Sequence, residues 1–169
     1  MTTTNAEAMR LNSPTLHNGQ TIPMVHVYNG YGYSDQNLSP ELFWTGAPIT
    51  TKSFALTVFD PDAPRDGGWW HWLVINIPAG QSFLPQGAKP GHGLPSAALQ
   101  IRNDFDIFDY GGPAPPAGPV HHYIFTLDAL KVAQLEVAPS TRPEQVKALI
   151  EAQTISKTTL TGLFGHQRG

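Results

Sequence analysis

One mainly β domain with helix confined to the C-terminal end is the fold class the sequence predicts, and three observations predict it. The chain of 169 residues carries 16 Gly and 16 Pro, a density of turn formers that suits short strands better than a helical bundle. Three runs rich in β-branched and aromatic residues, 53–59, 70–77 and 122–130, are short and bounded by Asp, Pro or Lys. Helical spacing of apolar residues appears only after residue 140. The length fits a single domain over residues 1–169 and is short for two.

Taken in order, residues 1–10 read as a loose start. Met24-Val25-His26-Val27-Tyr28-Asn29-Gly30 reads as a strand entering a turn-rich loop, and a strand is expected through Leu42 to Trp44 after Pro40. Ser53 to Phe59 is apolar on both faces, as a central covered strand requires, and it ends at Asp60. Trp70 to Ile77, closed by Pro78, and His122 to Leu130 complete the sheet core. Pro78 to Pro119 is mostly loop, with at most a short strand around Ala98 to Arg102. Thr141-Arg142-Pro143-Glu144 has the spacing of a capping box, so a helix is expected from near Arg142. Val146, Leu149, Ile150 and Gln153 follow at helical spacing. The helix, or a second one after a break, is expected to run on through Ile155, Leu160, Leu163 and Phe164 to Gly165.

Composition narrows the function classes. A net charge of −3 and the absence of any Lys/Arg run leave no electrostatic footprint for a nucleic-acid backbone, so no nucleic-acid partner is expected. With no Cys, disulfides, thiolate catalysis and Cys-ligated metals drop out together. Met1 to Gln20 has no apolar signal region and no stretch reaches the length of a transmembrane segment, so a cytoplasmic protein is expected.

Two segments carry the chemistry. Asp60-Pro61-Asp62-Ala63-Pro64 runs into Trp69-Trp70-His71-Trp72, and His121-His122-Tyr123 opens the third strand. Alternation places His71 on a face with Leu73, Ile75 and Ile77, and His121 with Tyr123, Phe125 and Leu127. A carboxylate at the end of a buried strand needs a partner, so Asp60 is expected to pair with His71 or His121 and orient the imidazole. Such imidazoles, charged or donating, suit an anion, with Tyr123 adding a hydroxyl and Trp69, Trp70 or Trp72 a wall. A site reliant on charged imidazoles loses affinity as pH rises through about 6.5. The Gly111 to Pro116 loop is placed to close the rim.

Plainer readings stand beside these. Asp60 and Asp62 are also good turn formers, and Asp62 reads as one. His122 faces the other way and reads as packing, and tryptophans are more often core than ligand wall. A metal set of Asp60, His71 and His121 has no supporting spacing, and no metal or other cofactor is expected. No nucleophile motif accompanies the histidines, although an Asp60/His121 pair can transfer protons in a hydrolase, lyase or cyclase.

Asn37-Leu38-Ser39-Pro40, the Asp60 and Trp69 strings, Gly112 to Gly118 with its prolines, and His121-His122-Tyr123, in this order, resemble the phosphatidylethanolamine-binding protein family. The compact layout resembles its bacterial and archaeal branch, described as Raf-kinase-inhibitor-like, and the likeness spans Leu11 to Gly165. The resemblance implies a Greek-key β-sandwich, with a central sheet flanked by a smaller sheet and a C-terminal helix near the pocket mouth. It also implies a pocket for phosphate-type anions, including phosphorylated small molecules and lipid headgroups, lined by Asp60, Trp69, His71, Gly112, Pro116, His121 and Tyr123. A regulatory role on a kinase-like protein partner and a homodimer are implied by the resemblance alone. Family members commonly carry Arg where this chain has His122.

Overall fold

The computed structural model describes residues 8–166. Its strands are β1 (Arg10–Asn12), β2 (Leu42–Thr45), β3 (Ser53–Asp60), β4 (Trp69–Pro78), β5 (Phe83–Leu84), β6 (Lys89–Pro90), β7 (Gly93–Leu94), β8 (Leu99–Gln100), β9 (His121–Leu130) and β10 (Thr154–Phe164), with one α-helix, α1 (Pro143–Gln153). A five-stranded antiparallel sheet of order β10-β9-β3-β4-β8 faces a three-stranded sheet of order β1-β2-β5, and β6 and β7 form a small parallel pair.

The main core lies between the two larger sheets. Leu11, Leu42 and Trp44 from the smaller meet Phe54, Leu56, Val58, Trp72, Val74, Tyr123, Phe125 and Leu127 from the larger. The other face of the large sheet, with Ala55, Leu73 and Ile75, is covered by Val146 and Ile150 of α1. β3 is therefore buried on both faces, as its apolar residues on alternate sides require. The expected core strands match β3, β4 and β9 to within a residue, and Leu42–Thr45 and Leu99–Gln100 are also strands.

Four expectations are corrected. Residues 154–164 form β10, not helix, and pair with β9 along its whole length. The segment is rich in Thr, which favours strands, and it turns Leu160, Gly162 and Phe164 inward at period two. Residues 24–26 form a 3₁₀ turn rather than a strand. The helix starts with Pro143 at its first position and Arg142 as N-cap, with no side-chain cap bond, so no capping box forms. The expected loose start mostly lies outside the described residues, but Arg10 already belongs to β1.

β4 carries two irregularities. Phe59 pairs with Trp70 and Val58 with Trp72, so His71 is an extra residue with no opposite number. The second falls between Phe54/Ile77 and Leu56/Val74, where Asn76 sits at φ +60°. Its side chain accepts from Leu135 N at 2.7 Å and donates to Leu135 O at 3.3 Å. Asn tolerates this left-handed conformation, and the double bond pins the loop that leads to α1. Asn76→Ala is expected to lower stability by about 2 kcal/mol, and by more than Asn76→Gly, since Ala loses both bonds and keeps the backbone strain. Urea denaturation of the two variants checks the order.

Candidate functional site

The bulge at His71 decides the geometry of the site. It turns the imidazole onto the face that carries Tyr123, 5.1 Å away between ring centres, while Leu73 and Ile75 point into the opposite core. Of the residues expected to share a face with His71, Leu73 and Ile75 do not, because one extra residue reverses the alternation, whereas Ile77, beyond the second irregularity, lies in the core that holds Tyr123. His121 and Tyr123, on the regular start of β9, do share a face, with rings 6.4 Å apart.

A cavity of about 190 Å³ opens where these strands end. Asp60, Trp69, His71, Pro116, His121 and Tyr123 all line it. Gly112 does not. Its N–H donates to Asn37 Oδ1 at 2.7 Å, and its Cα lies against the backbone at His26, with no room for a side chain. Of the three tryptophans weighed as a wall, only Trp69 lines the cavity. Trp70 packs on Phe59, and Trp72 is core, with its indole N–H on Gln100 Oε1 at 2.7 Å. Helix α1 contributes nothing to the lining, since it covers the far face of the sheet.

Asp60 pairs with His121: Oδ2 accepts from Nδ1 at 2.7 Å, and both residues are buried. Its second oxygen accepts the Asp62 N–H at 2.8 Å, so Asp60 makes the Asx turn expected of Asp62. Asp62 instead reaches the start of β9, accepting from the His122 N–H at 2.7 Å and ring Nδ1 at 2.8 Å. Burial pushes the Asp60 carboxyl above its ordinary range, and the bonds from His121 and Asp62 offset part of the rise. Burial also raises the Tyr123 hydroxyl, so it stays a donor at neutral pH.

His71 departs from the expected charged group. Its Nδ1 donates to the Gly111 carbonyl at 2.7 Å, which fixes the tautomer because a carbonyl only accepts. Burial lowers its pKa to about 4, so the ring is neutral at pH 7 and its Nε2 is a bare acceptor. Asn103 locks this arrangement by donating Nδ2 to His71 O at 2.8 Å and to Asp109 O at 2.9 Å. Among the described residues, His71 Nε2, His121 Nε2 and the Tyr123 hydroxyl have no protein partner.

Apolar groups complete the enclosure. Ala114, Pro115 and Pro116 bring the 111–116 loop over one side, and Tyr31 and Phe105 stand on the other, 5.4 Å apart between ring centres. Sequence reasoning missed Tyr31, Phe105 and Asn103, which sit in irregular segments with no periodicity to mark them. Arg65 lies over the Trp69 ring at 4.5 Å and pairs with Asp104 at 2.8 Å, so its charge is engaged outside the cavity. Among the described residues, no cluster of three metal-binding side chains occurs. No helix among them is long and apolar enough to cross a membrane.

A two-sheet β domain with one helix, and a small cavity walled by aromatic rings and floored by an Asp-His pair, defines a class of β-sandwich proteins with a pocket at a sheet end. Residues 12–165 match the family model described as phosphatidylethanolamine-binding protein, and the chain belongs to that family. The UPF0098 protein YbhB of Escherichia coli is 41% identical over 157 residues, 92% of this chain and 99% of that protein. The crystal structure of E. coli YbcL, titled a new member of the mammalian PEBP family, superposes with a TM-score of 0.91 at 40% identity, covering 94% of this chain and 99% of that one. The structure of CT736 from Chlamydia trachomatis gives 0.80 at 30% identity, covering 95% and 99%.

Proposed function

We propose that this protein is a non-enzymatic binding protein that takes a small phosphate-type anion, free or as part of a phosphorylated small molecule, into the Asp60–His121 cavity. The observation that carries the reading is the convergence of three partnerless polar atoms, on His71, His121 and Tyr123, in one enclosure whose remaining walls are apolar. These atoms open onto the cavity rather than being sealed from solvent, and a ligand that bonds to several of them at once takes the place of water there. His121, when protonated, presents Nε2–H to the ligand while Nδ1 stays on Asp60, whose carboxylate balances the charge. Tyr123 supplies a second donor. The cavity is smaller than drug-sized sites, which run from about 300 Å³, and it suits a headgroup rather than a long chain.

A regulatory role on a kinase-like partner, and a homodimer, rest on family likeness alone. Proton transfer by the Asp60–His121 pair is the second reading, favoured by the buried 2.7 Å bond between them. Calorimetric titration with inorganic phosphate at pH 7, and with phosphoethanolamine at a pH low enough to keep its phosphate monoprotonated, is expected to give saturable binding that falls at least about tenfold in His121→Ala. Undiminished binding in that variant would remove the cavity as the site. Turnover of a metabolite, lost in Asp60→Asn, would replace the binding role with an enzymatic one.

A further inference from the structure

We infer that the cavity demands a ligand carrying its own proton, so that it takes a hydrogenphosphate group and rejects sulfate, an anion of the same shape without a proton. The inference rests on the anion-binding reading above and deepens it by naming which anions qualify.

His71 spends its only proton on Gly111 O, in a bond 2.7 Å long made by a residue only 3% exposed. What it offers the cavity is a lone pair on Nε2. An oxyanion oxygen set against that lone pair meets repulsion, whereas a P–OH group donates to it. On the opposite side the Tyr123 hydroxyl donates and suits an unprotonated oxygen of the same tetrahedral group, and His121 Nε2 adds a second donor when its ring carries a second proton. A ligand with one hydroxyl and at least one bare oxygen on a single tetrahedral centre satisfies all three.

Charge points the same way. Among the residues that line the cavity there is no Lys or Arg, and the single carboxylate, Asp60, is matched by one imidazole. A dianion with no proton would therefore enter an apolar enclosure facing a buried carboxylate and at most one countercharge. Dihydrogenphosphate carries one charge less than sulfate and hydrogenphosphate the same charge, and both use a proton where the protein lacks one. Near pH 7 both common forms of inorganic phosphate retain a hydroxyl, and sulfate retains none.

The test is a calorimetric comparison of sodium phosphate and sodium sulfate at pH 7 and matched ionic strength, on the wild-type protein and on His71→Asn. Asn places an amide N–H where His71 Nδ1 stands, so it keeps the bond to Gly111 and removes the Nε2 acceptor. Wild type is expected to bind phosphate at least about tenfold tighter than sulfate, as sites built around a specific hydrogen bond reject the analogue that cannot make it. In His71→Asn that ratio is expected to fall toward one. Equal wild-type affinities, or a preference that persists in His71→Asn, would overturn the inference and leave the anion site standing. Binding of neither anion would overturn both. The wild-type comparison decides even if the variant does not fold.

Discussion

Gly112→Ala is expected to destabilise the protein by about 4 kcal/mol or more, enough to be the most damaging single methyl in the 111–116 loop. The added Cβ would land on the carbonyl of His26 and lie 3.0 Å from Tyr28 N, so the obstacle is main chain, not a side chain that can swing away. Neither side is free to retreat. The 24–28 segment is held by its own 3₁₀ turn, by Tyr110 O–H donating to His26 O at 2.8 Å, and by Tyr28 N donating to Pro113 O at 3.0 Å. Gly112 is held by its bond to Asn37. Separating the two segments breaks this set together, and each buried group left unpaired adds about 1–3 kcal/mol. Gly80→Ala is the matched control, since a Cβ there meets nothing within 4 Å, and its effect is expected within about 1 kcal/mol. Urea midpoints for the two variants decide the matter. Comparable midpoints would show that the loop has slack the packing does not reveal.

Gly112 also shows what a sequence conceals. Its string of glycine and prolines marks a rigid loop near the pocket, yet its role depends on a segment some 85 residues earlier passing across it, and no local pattern encodes that approach. The three core strands were legible because a strand buried on both faces needs a continuous run of β-branched and aromatic residues, and nothing else in the chain supplies one. The 154–164 segment reads as helix because Leu160, Leu163 and Phe164 fit helical spacing, whereas the strand turns only Leu160 and Phe164 of these inward, with Gly162 between them. Its strand identity comes from the open edge of β9, a tertiary demand that overrides a short periodic signal. At the site, the Asp60–His121 bond follows from two strand ends in adjacent register, and it was foreseeable. The aim of His71 was not, because the extra residue in β4 appears only when its pairing with β3 is known. Tyr31, exposed and at φ +54°, reaches the rim through a turn between glycines that no propensity favours.

The second large effect is a loss of stability in mild acid that tracks His71. Its pKa is about 4 in the folded protein and about 6.5 when unfolded. Above 6.5 the ring is neutral in both states and pH has no leverage on it. Between 6.5 and 4 the unfolded chain binds a proton that the folded protein refuses, so acid favours unfolding and stability rises with pH across this window. A gap of that size corresponds to about 3 kcal/mol lost on reaching pH 4. His26, buried with its ring nitrogens on Leu38 O and Thr15 Oγ1, is lowered as well and acts in the same direction. Asp60 acts in the opposite direction: its carboxyl is raised by burial, so the folded form takes up a proton more readily than the unfolded chain and recovers stability as pH falls. His71→Asn separates these contributions, because it keeps the donor to Gly111 and cannot titrate. Unfolding free energies at pH 7.0 and 4.5 are expected to differ by about 2 kcal/mol more in wild type than in His71→Asn. Parallel losses in the two proteins would mean that the buried imidazole accepts a proton without penalty, which requires water or a countercharge at a ring whose one internal partner is a neutral carbonyl.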